Sequence, residues 1–380
     1  MLIPNNRQKT RLFQYAGTAR YAYNWALGIE RANYENGGKF ISDVDLRRIF
    51  TQHKAEPGKE WLSSISNNVT KQAIKDACGA YQAFFHKKAN FPRFKSRKYS
   101  MPSFYQDPVK LKFTETHVKV EGFASSKRKS RQKLNWIRLA EHGRIPLGVK
   151  YYNPRFTFDG LNWWVSVGVE YPDSDATPQG DGIGIDLGLK DLAILSDGTK
   201  YANINRTKKI RKLERKKRRL QRSISRSYRE NKKKGKYCKT SNVTKKEKEL
   251  LRLHHRLANI RMNYAHQITT AITKREPSFV CMEDLSVSGM MKNRHLANAI
   301  QQQSFRGFRR IMAYKCAWNN IRFITADRFF PSSKLCCQCG AVRKSLTLRE
   351  RVYRCECCGN VIDRDFQAAL NLKTYGEAAV

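Results

Sequence analysis

Two cysteine pairs near the C-terminus, Cys336-x-x-Cys339 and Cys355-x-x-Cys358 with fifteen residues between them, constrain this chain more than any other feature. Each C-x-x-C step is a tight turn that presents two thiolates to one point, and two such turns complete a tetrahedral zinc site. A four-thiolate site leaves no position for a reactive water, so the ion is expected to be structural. Seven residues after Cys358, Asp365 lies in the run Asp363-Arg364-Asp365. It opens a helical stretch, Asp365 to Leu372, so the metal-held segment ends on an acidic helix start.

The 380 residues suffice for two or three domains with a substantial buried core. Seventy-four Lys and Arg stand against 32 Asp and Glu, a net charge of +42. That much unbalanced charge repels itself unless a polyanion neutralises it, and nucleic acid fits best because many phosphate contacts release many counterions. No apolar run approaches the ~18 residues of a spanning helix, which argues against a membrane protein. The first residues, Met1 to Arg7, lack a basic stretch followed by an apolar one, so no signal peptide is expected. Six of the ten cysteines fall at 336–358, and Cys78, Cys238, Cys281 and Cys316 are scattered singly. That is metal usage in a reducing cytosol rather than a disulfide framework.

Residues 10–90 read as helical. From Asn67 to Lys88, helical spacing aligns Ala73, Ala77, Tyr81, Phe84 and Phe85 as a buried stripe, with Lys71 and Lys75 on another face. A basic, aromatic loop follows at 91–98, where Pro92 stops any helix. Between 108 and 172, short alternating runs and the hairpin signal Asp159-Gly160 predict a small antiparallel barrel or sandwich. The polar stretch Pro172 to Gly180 reads as a linker. A strand at 182–186 is followed by a strand and turn over 191–198, so the sheet is expected to open with a meander, and further strands are expected at 278–283 and 321–324, with a helix around 300–319. Residues 206–236 carry 17 Lys and Arg and two acids, with Leu213, Leu220 and Ile224 as a sparse stripe. A second helix at about 245–274 would close an antiparallel hairpin.

Asp186 and Glu283 each end an apolar strand, and Asp365 opens the final helix. In open α/β sheets, reactive groups gather at the carboxyl ends of strands. Three converging carboxylates suit hard divalent cations, magnesium or manganese, better than zinc. Two such ions about 3.5–4 Å apart would activate water and stabilise the leaving oxygen of a phosphodiester.

Several runs carry a resemblance that spans nearly the whole chain. They are Gly17-x-Ala19-Arg20-x-x-Tyr23-Asn24-Trp25-Ala26-Leu27, Asn90 to Ser96, Gly184-Ile185-Asp186-Leu187-Gly188 and Met282-Glu283-Asp284-Leu285. Ser332-Ser333-Lys334-x-Cys336-x-x-Cys339-Gly340, Cys355-x-x-Cys358-Gly359 and Asp363-Arg364-Asp365-x-x-Ala368-Ala369-x-Asn371 complete the set. Together they resemble the TnpB (OrfB) family of transposon-encoded proteins, itself similar to the compact type V CRISPR effectors.

The resemblance implies a multidomain α/β protein: a RuvC-like RNase H fold nuclease with an inserted four-cysteine zinc ribbon. Ahead of it come a wedge β-barrel (1–10 and 106–172) interrupted by a helical recognition domain (11–105), then a linker at 173–181. The nuclease occupies 182–331 with a basic helical hairpin at 206–275. The zinc-ribbon, target-nucleic-acid-binding module takes 332–360, and the last nuclease helix 361–380. Implied catalytic and magnesium-binding acids are Asp186, Glu283 and Asp365, with Asp363 ranked below Asp365. Implied zinc ligands are Cys336, Cys339, Cys355 and Cys358. Implied partners are a guide RNA from the transposon end and double-stranded target DNA, bound by a monomer in the bacterial cytoplasm, nucleoid-associated when on DNA.

In that scheme base pairing supplies specificity, and the protein reads the heteroduplex by shape and backbone plus a short flanking motif. Asn67, Lys71 and Lys75 are candidates for reading that motif. Arg93, Lys95, Arg97 and Lys98 suit RNA backbone and base stacking. Arg215, Lys216, Arg218, Arg219 and Arg222 suit RNA or heteroduplex phosphates. His254 and His255 are expected to face RNA or to pack.

Two departures stand out. Cys337 and Cys357 are extra thiols beside the ligand positions, leaving an alternative ligand set open. Ile3-Pro4 matches a segment that the family precedes with a strand, so either the barrel lacks an edge or the native start lies upstream. The rival functions are a guided DNA-binding regulator without cleavage and a transposase acting by strand transfer.

Overall fold

The computed structural model describes residues 1–124, 133–172, 177–233, 236–347 and 350–379. Residues 125–132 of the expected wedge and 173–176 of the expected linker lie outside the described residues. The chain divides into two units, Met1–Tyr171 and Pro172–Val380.

In the first unit a short strand, β1 (Leu2–Ile3), leads into the 30-residue helix α1 (Asn6–Glu35). The Asn5 side chain accepts from the Gln8 N–H and the Gln8 side chain accepts from the Asn5 N–H, both at 2.9 Å. This capping box satisfies two donors that a first helical turn leaves unpaired. Helices α2 (Asp43–His53) and α3 (Asn67–Phe85) each start on a serine cap. On α3, Ala73, Ala77 and Tyr81 are buried, as the spacing predicts. Phe85 is 43% exposed because the helix ends there, and Phe84 and Phe85 pack instead around the Tyr34 ring.

Six further strands follow: β2 (Ser103–Tyr105), β3 (Lys112–Phe113), β4 (His117–Lys119), β5 (Trp136–Leu139), β6 (Tyr151–Phe158) and β7 (Trp163–Val169). They form antiparallel sheets ordered β1-β5-β4-β3 and β2-β6-β7. The β6–β7 turn uses Gly160 at φ +93°, while the Asp159 side chain accepts from the Leu161 and Asn162 N–H groups. The expected barrel does not close among the described residues. Among the described residues the two sheets share no ladder, and β1 and β3, with two residues each, end the first sheet at both edges. Tyr15, Phe104, Phe123, Phe156 and Trp163 fill the core. Arg155 grips Asp76 of α3 through two hydrogen bonds of 2.7 and 3.0 Å.

The second unit is built on a five-stranded sheet of β8 (Ile183–Leu187), β9 (Asp191–Leu195), β10 (Lys200–Ala202), β13 (Phe279–Glu283) and β14 (Arg322–Ala326). Its order is β10-β9-β8-β13-β14: β8, β13 and β14 run parallel, and β8-β9-β10 form the antiparallel meander read from sequence. Between β10 and β13 lie α4 (Lys208–Glu230), the tiny hairpin β11 (Lys232–Lys233) and β12 (Lys236–Tyr237), and α5 (Ser241–Thr273). Helices α6 (Val287–Met290), α7 (Arg294–Gln303) and α8 (Phe305–Trp318) precede β14. The hairpin β15 (Val352–Arg354) and β16 (Val361–Asp363) leads into the last helix, α9 (Arg364–Ala378).

Period-two alternation assigns the faces of this sheet. Ile183, Ile185, Val280 and Met282 point into a core with Ile268 and Ile272 of α5 and Phe308 and Met312 of α8. Gly184, Asp186, Cys281 and Glu283 take the other face, where Cys281 packs with Leu372 of α9. Cys78, Cys281 and Cys316 are buried in cores, as small apolar residues.

Gly184 lets α9 lie this close. A Cβ there would stand 2.1 Å from the Ala369 carbonyl and 2.4 Å from the Lys373 nitrogen, both backbone atoms that cannot swing away. Gly184→Ala should therefore destabilise the second unit by about 3 kcal/mol or more through overpacking. Urea unfolding followed by tyrosine and tryptophan fluorescence checks this, and a midpoint equal to wild type would refute the close packing.

Candidate active site and zinc module

The two parallel strands put Asp186 and Glu283 side by side. The ladder pairs Val280 with Ile183, Cys281 with Gly184 and Met282 with Ile185, so the next residues along are Glu283 and Asp186. Both lie on the face that α9 covers. Since Ala369 of α9 sits against Gly184, the helix start one turn earlier brings Asp365 toward Asp186. Burial, then the charges of Glu283 and Asp365, raise the Asp186 carboxyl well above its ordinary range, and Arg364 offsets only part of this. Burial also raises Glu283, against a hydrogen bond from the Ser332 hydroxyl. Three acids from three elements thus crowd one spot, where burial and the two neighbouring carboxylates disfavour the charged form of Asp186.

Asp365 and two acids beside the cluster are held from the side. Asp365 receives Arg364 at 2.7 and 3.0 Å and Arg351 at 3.2 Å. Asp363 instead caps α9, accepting from the Asp365 and Phe366 N–H groups at 3.1 and 3.0 Å, with Lys200 at 3.7 Å. Asp284, next to Glu283, is clamped by Arg309 and Arg328, which hold its carboxyl below the usual range.

The four predicted zinc ligands meet. The sulfurs of Cys336, Cys339, Cys355 and Cys358 all lie within 4.8 Å of one another, with pairs at 3.5 and 3.6 Å. Zinc–sulfur bonds of about 2.3 Å put tetrahedral sulfurs about 3.8 Å apart, so the set fits one structural zinc. The two turns have the same build. The Cys336 N–H bonds the Ala341 carbonyl (2.9 Å) and the Cys355 N–H bonds the Asn360 carbonyl (2.8 Å). Gly340 and Gly359 take φ +73° and +71°, a left-handed step that glycine allows without strain. Burial works against ionising Cys336, but backbone N–H groups of Cys339 and Gln338 win and bring its thiol down to about 6. Cys337, at the side, meets the Asn360 amide and Cys357 is exposed, so among the described residues the outer cysteines form the cluster.

Module and acids are joined at both ends. Ser332, at the start, touches Glu283; β16, at the end, becomes α9. The buried amide of Asn371 donates to the Ser332 and Leu335 carbonyls, each at 2.7 Å, and Tyr353 fills the module's small core.

Comparisons with known proteins place the chain. A protein of Streptomyces pristinaespiralis named "Putative RNA-guided DNA endonuclease" is 33% identical over 377 residues, covering 99% of this chain and 88% of the relative. The chain belongs to the TnpB (OrfB) family. "Putative RNA-guided DNA endonuclease InsQ" of Escherichia coli K12 is 29% identical, covering 100% of this chain and 92% of that protein. Three family models match parts of the TnpB-family chain: "Probable transposase" at residues 166–294, "Cas12f1-like, TNB domain" at 305–372 and "Helix-turn-helix domain" at 1–39. Over the last of these, residues 6–35 form the single helix α1. A chain in the cryo-EM structure of the Cas12f1–sgRNA–target DNA complex shares the fold, with TM-score 0.58 at 14% identity, covering 95% of this chain and 81% of that one.

The remaining predicted residues of the TnpB-family chain occupy varied settings. Asn67 and Lys71 line a groove between α2 and α3; Asn67 accepts from Lys54 at 2.6 Å, and Lys75 is exposed outside the groove. Arg93, Arg97 and Lys98 are exposed. Lys95 is half-buried: Asn24 brackets its backbone at 2.8 Å twice, and its ammonium lies 3.7 Å from the Tyr23 ring centre. Arg215, Lys216, Arg218, Arg219 and Arg222 all lie exposed on α4, Lys216 paired to Glu249 at 2.7 Å. Sequence reasoning missed Ser332, Arg351 and Arg364 as partners of the acids. The run of runs 332–334 and 363–365 in the family motif was the available signal for two of them.

Proposed function

We propose that this TnpB-family chain is an RNA-guided DNA endonuclease of a bacterial insertion sequence, cutting double-stranded target DNA beside a short flanking motif by two-metal phosphodiester hydrolysis. The observation that carries the reading is the convergence of Asp186, Glu283 and Asp365, whose crowding lifts the Asp186 carboxyl. Such a cluster lowers its own energy by taking up hard divalent cations, and all-oxygen donors suit magnesium or manganese. When bound, the ions would supply an activated water and stabilise the leaving oxygen. The chain's own groups do the positioning. The β8–β13 ladder sets two acids side by side, Ser332 orients Glu283, and Arg364 and Arg351 orient Asp365.

The same reading assigns a RuvC-like RNase H fold to the second unit, with 332–360 as the inserted zinc ribbon, and recognition and wedge roles to the first. It assigns one structural zinc to the four cysteines and guide-RNA and DNA contacts to the exposed basic residues of α4 and of 93–98. Asn67, Lys71 and Lys75 are assigned to the flanking motif. A monomer in the bacterial cytoplasm, on the nucleoid when bound to DNA, completes it; among the described residues no helix is long and apolar enough to cross a membrane.

The test is purification with co-expressed transposon-end RNA, followed by cleavage of a plasmid library randomised beside the target. Magnesium-dependent breaks that follow the guide are expected. Guided binding without cleavage in any divalent ion would favour a regulator, and joined rather than hydrolysed ends a transposase.

A further inference from the structure

On the sheet face opposite the acids, a cavity of about 490 Å³ opens between α4, α5, α7 and α8, within the range of small-molecule sites of about 300–1,000 Å³. Its floor is apolar, with Leu192, Phe308 and Ile311 all buried. Its rim is rich in amides and holds few free charges. Gln221 of α4 and Gln301 of α7 are exposed at the rim, and Asn298 accepts from Gln302 at 3.1 Å. Lys217 and Arg261 also reach the cavity, but both bond Glu214, at 2.6 and 2.8 Å, so the three leave one net positive charge. Burial and the nearby Lys217 hold the His254 imidazole below its ordinary value, so at neutral pH it offers one donor and one acceptor.

A phosphate would need unpaired cations, and both cations of this cavity are held in ion pairs with Glu214. An apolar floor edged by neutral donors and acceptors suits a flat heterocycle, since amide side chains read base edges in pairs of hydrogen bonds. The phosphates have a place outside: Gln221 stands on α4 between Arg218 and Arg222, both exposed and pointing at solvent. We propose that the cavity accepts one unpaired base of the guide RNA, from the part of that RNA whose sequence is constant. Fixed hydrogen bonds need a fixed base, whereas the target strand and its pairing segment change with every target. This inference rests on the RNA-guided reading above.

The test uses full-length protein and the co-expressed RNA. Two variants probe the cavity: Ala258→Trp, which plugs it from an exposed rim position, and the pair Gln221→Ala with His254→Ala, which removes edge contacts. Both are expected to weaken RNA binding roughly tenfold, an effect the size of one lost base contact. The slope of log affinity against log salt should stay as in wild type, whereas Arg222→Ala should reduce it by about one. Chemical probing of base edges should show one constant-region nucleotide protected in wild type and reactive in both cavity variants. Unchanged affinity and footprint in both variants would overturn the proposal. So would a loss of salt slope in the cavity variants, which marks a phosphate site, or a footprint on the DNA strand instead. Because every readout is RNA binding, a wild-type protein that binds the RNA and cuts nothing sinks the nuclease reading and leaves this one standing. A protein that binds no RNA sinks both.

Discussion

Asp186→Asn should abolish guided cleavage and, in the absence of divalent ions, make the protein more stable. Cleavage is expected to fall roughly thousandfold or more, since on the proposed two-metal reading losing this acid removes several kcal/mol of transition-state stabilisation. The stability gain follows from the crowding of Asp186 with Glu283 and Asp365. The sign follows from linkage. A carboxyl whose folded-state value is raised contributes most stability below the unfolded value, near 4, where it is protonated in both states. That contribution is lost as pH rises through the raised folded value, because the unfolded chain ionises freely and the folded one cannot. Asparagine has no proton to lose. Melting curves in chelator from pH 4 to 8 should therefore separate steadily, with the variant at least about 2–4 °C higher at pH 8, the shift that ~1 kcal/mol produces in a unit of this size. Magnesium should narrow the gap by stabilising wild type alone. A variant that melts lower than wild type at pH 8 would show that the acids are not strained against one another.

Removing zinc should silence the nuclease with all three acids intact. Structural zinc contributes about 10–16 kcal/mol in small peptide modules at neutral pH, more than the little core of Tyr353, Leu346 and Ile362 can replace. Cys355→Ser is expected to lose the ion and leave 332–360 without fixed shape. The acids then lose Ser332 beside Glu283 and Arg351 beside Asp365, partners whose loss around a metal site costs about 10–100-fold each. The start of α9 also loses the β16 strand that leads into it. We expect cleavage to drop at least a hundredfold, with excess magnesium giving no rescue and the rest of the protein still folded by circular dichroism. Metal analysis beside the cleavage assay decides it: full cleavage at zero zinc would separate the module from the site.

Much of this architecture was legible because its signals are local. A C-x-x-C turn closes within four residues, so the cysteines declared their cluster from spacing alone, and the structure brings those four sulfurs together. The strands ending on Asp186 and Glu283 were visible as short apolar runs closed by an acid, and the strand and turn over 191–198 announced the meander that β8 and β9 open. Other features depend on partners far along the chain. Lys95 sits in a basic, aromatic loop that reads as an RNA contact, yet Asn24 and Tyr23, some 70 residues earlier, take its backbone and its ammonium. The alternating runs at 108–172 correctly announced antiparallel strands. They could not say that these strands would end as two separate sheets, because closure depends on which edges find each other.

The sequence by itself determined which residues could do chemistry: four thiols at metal spacing, three acids at element ends and a large excess of positive charge. Those are properties of residue type and short-range geometry, which survive without knowledge of the fold. Only the tertiary structure decided that Asp186 and Glu283 face each other just beyond the last rung of a parallel ladder, a pairing between segments almost a hundred residues apart. Only it showed that the missing side chain of Gly184 lets α9 settle onto the sheet and carry Asp365 to them. The burial and neighbouring charges that raise the Asp186 carboxyl arise from that meeting and from no residue alone.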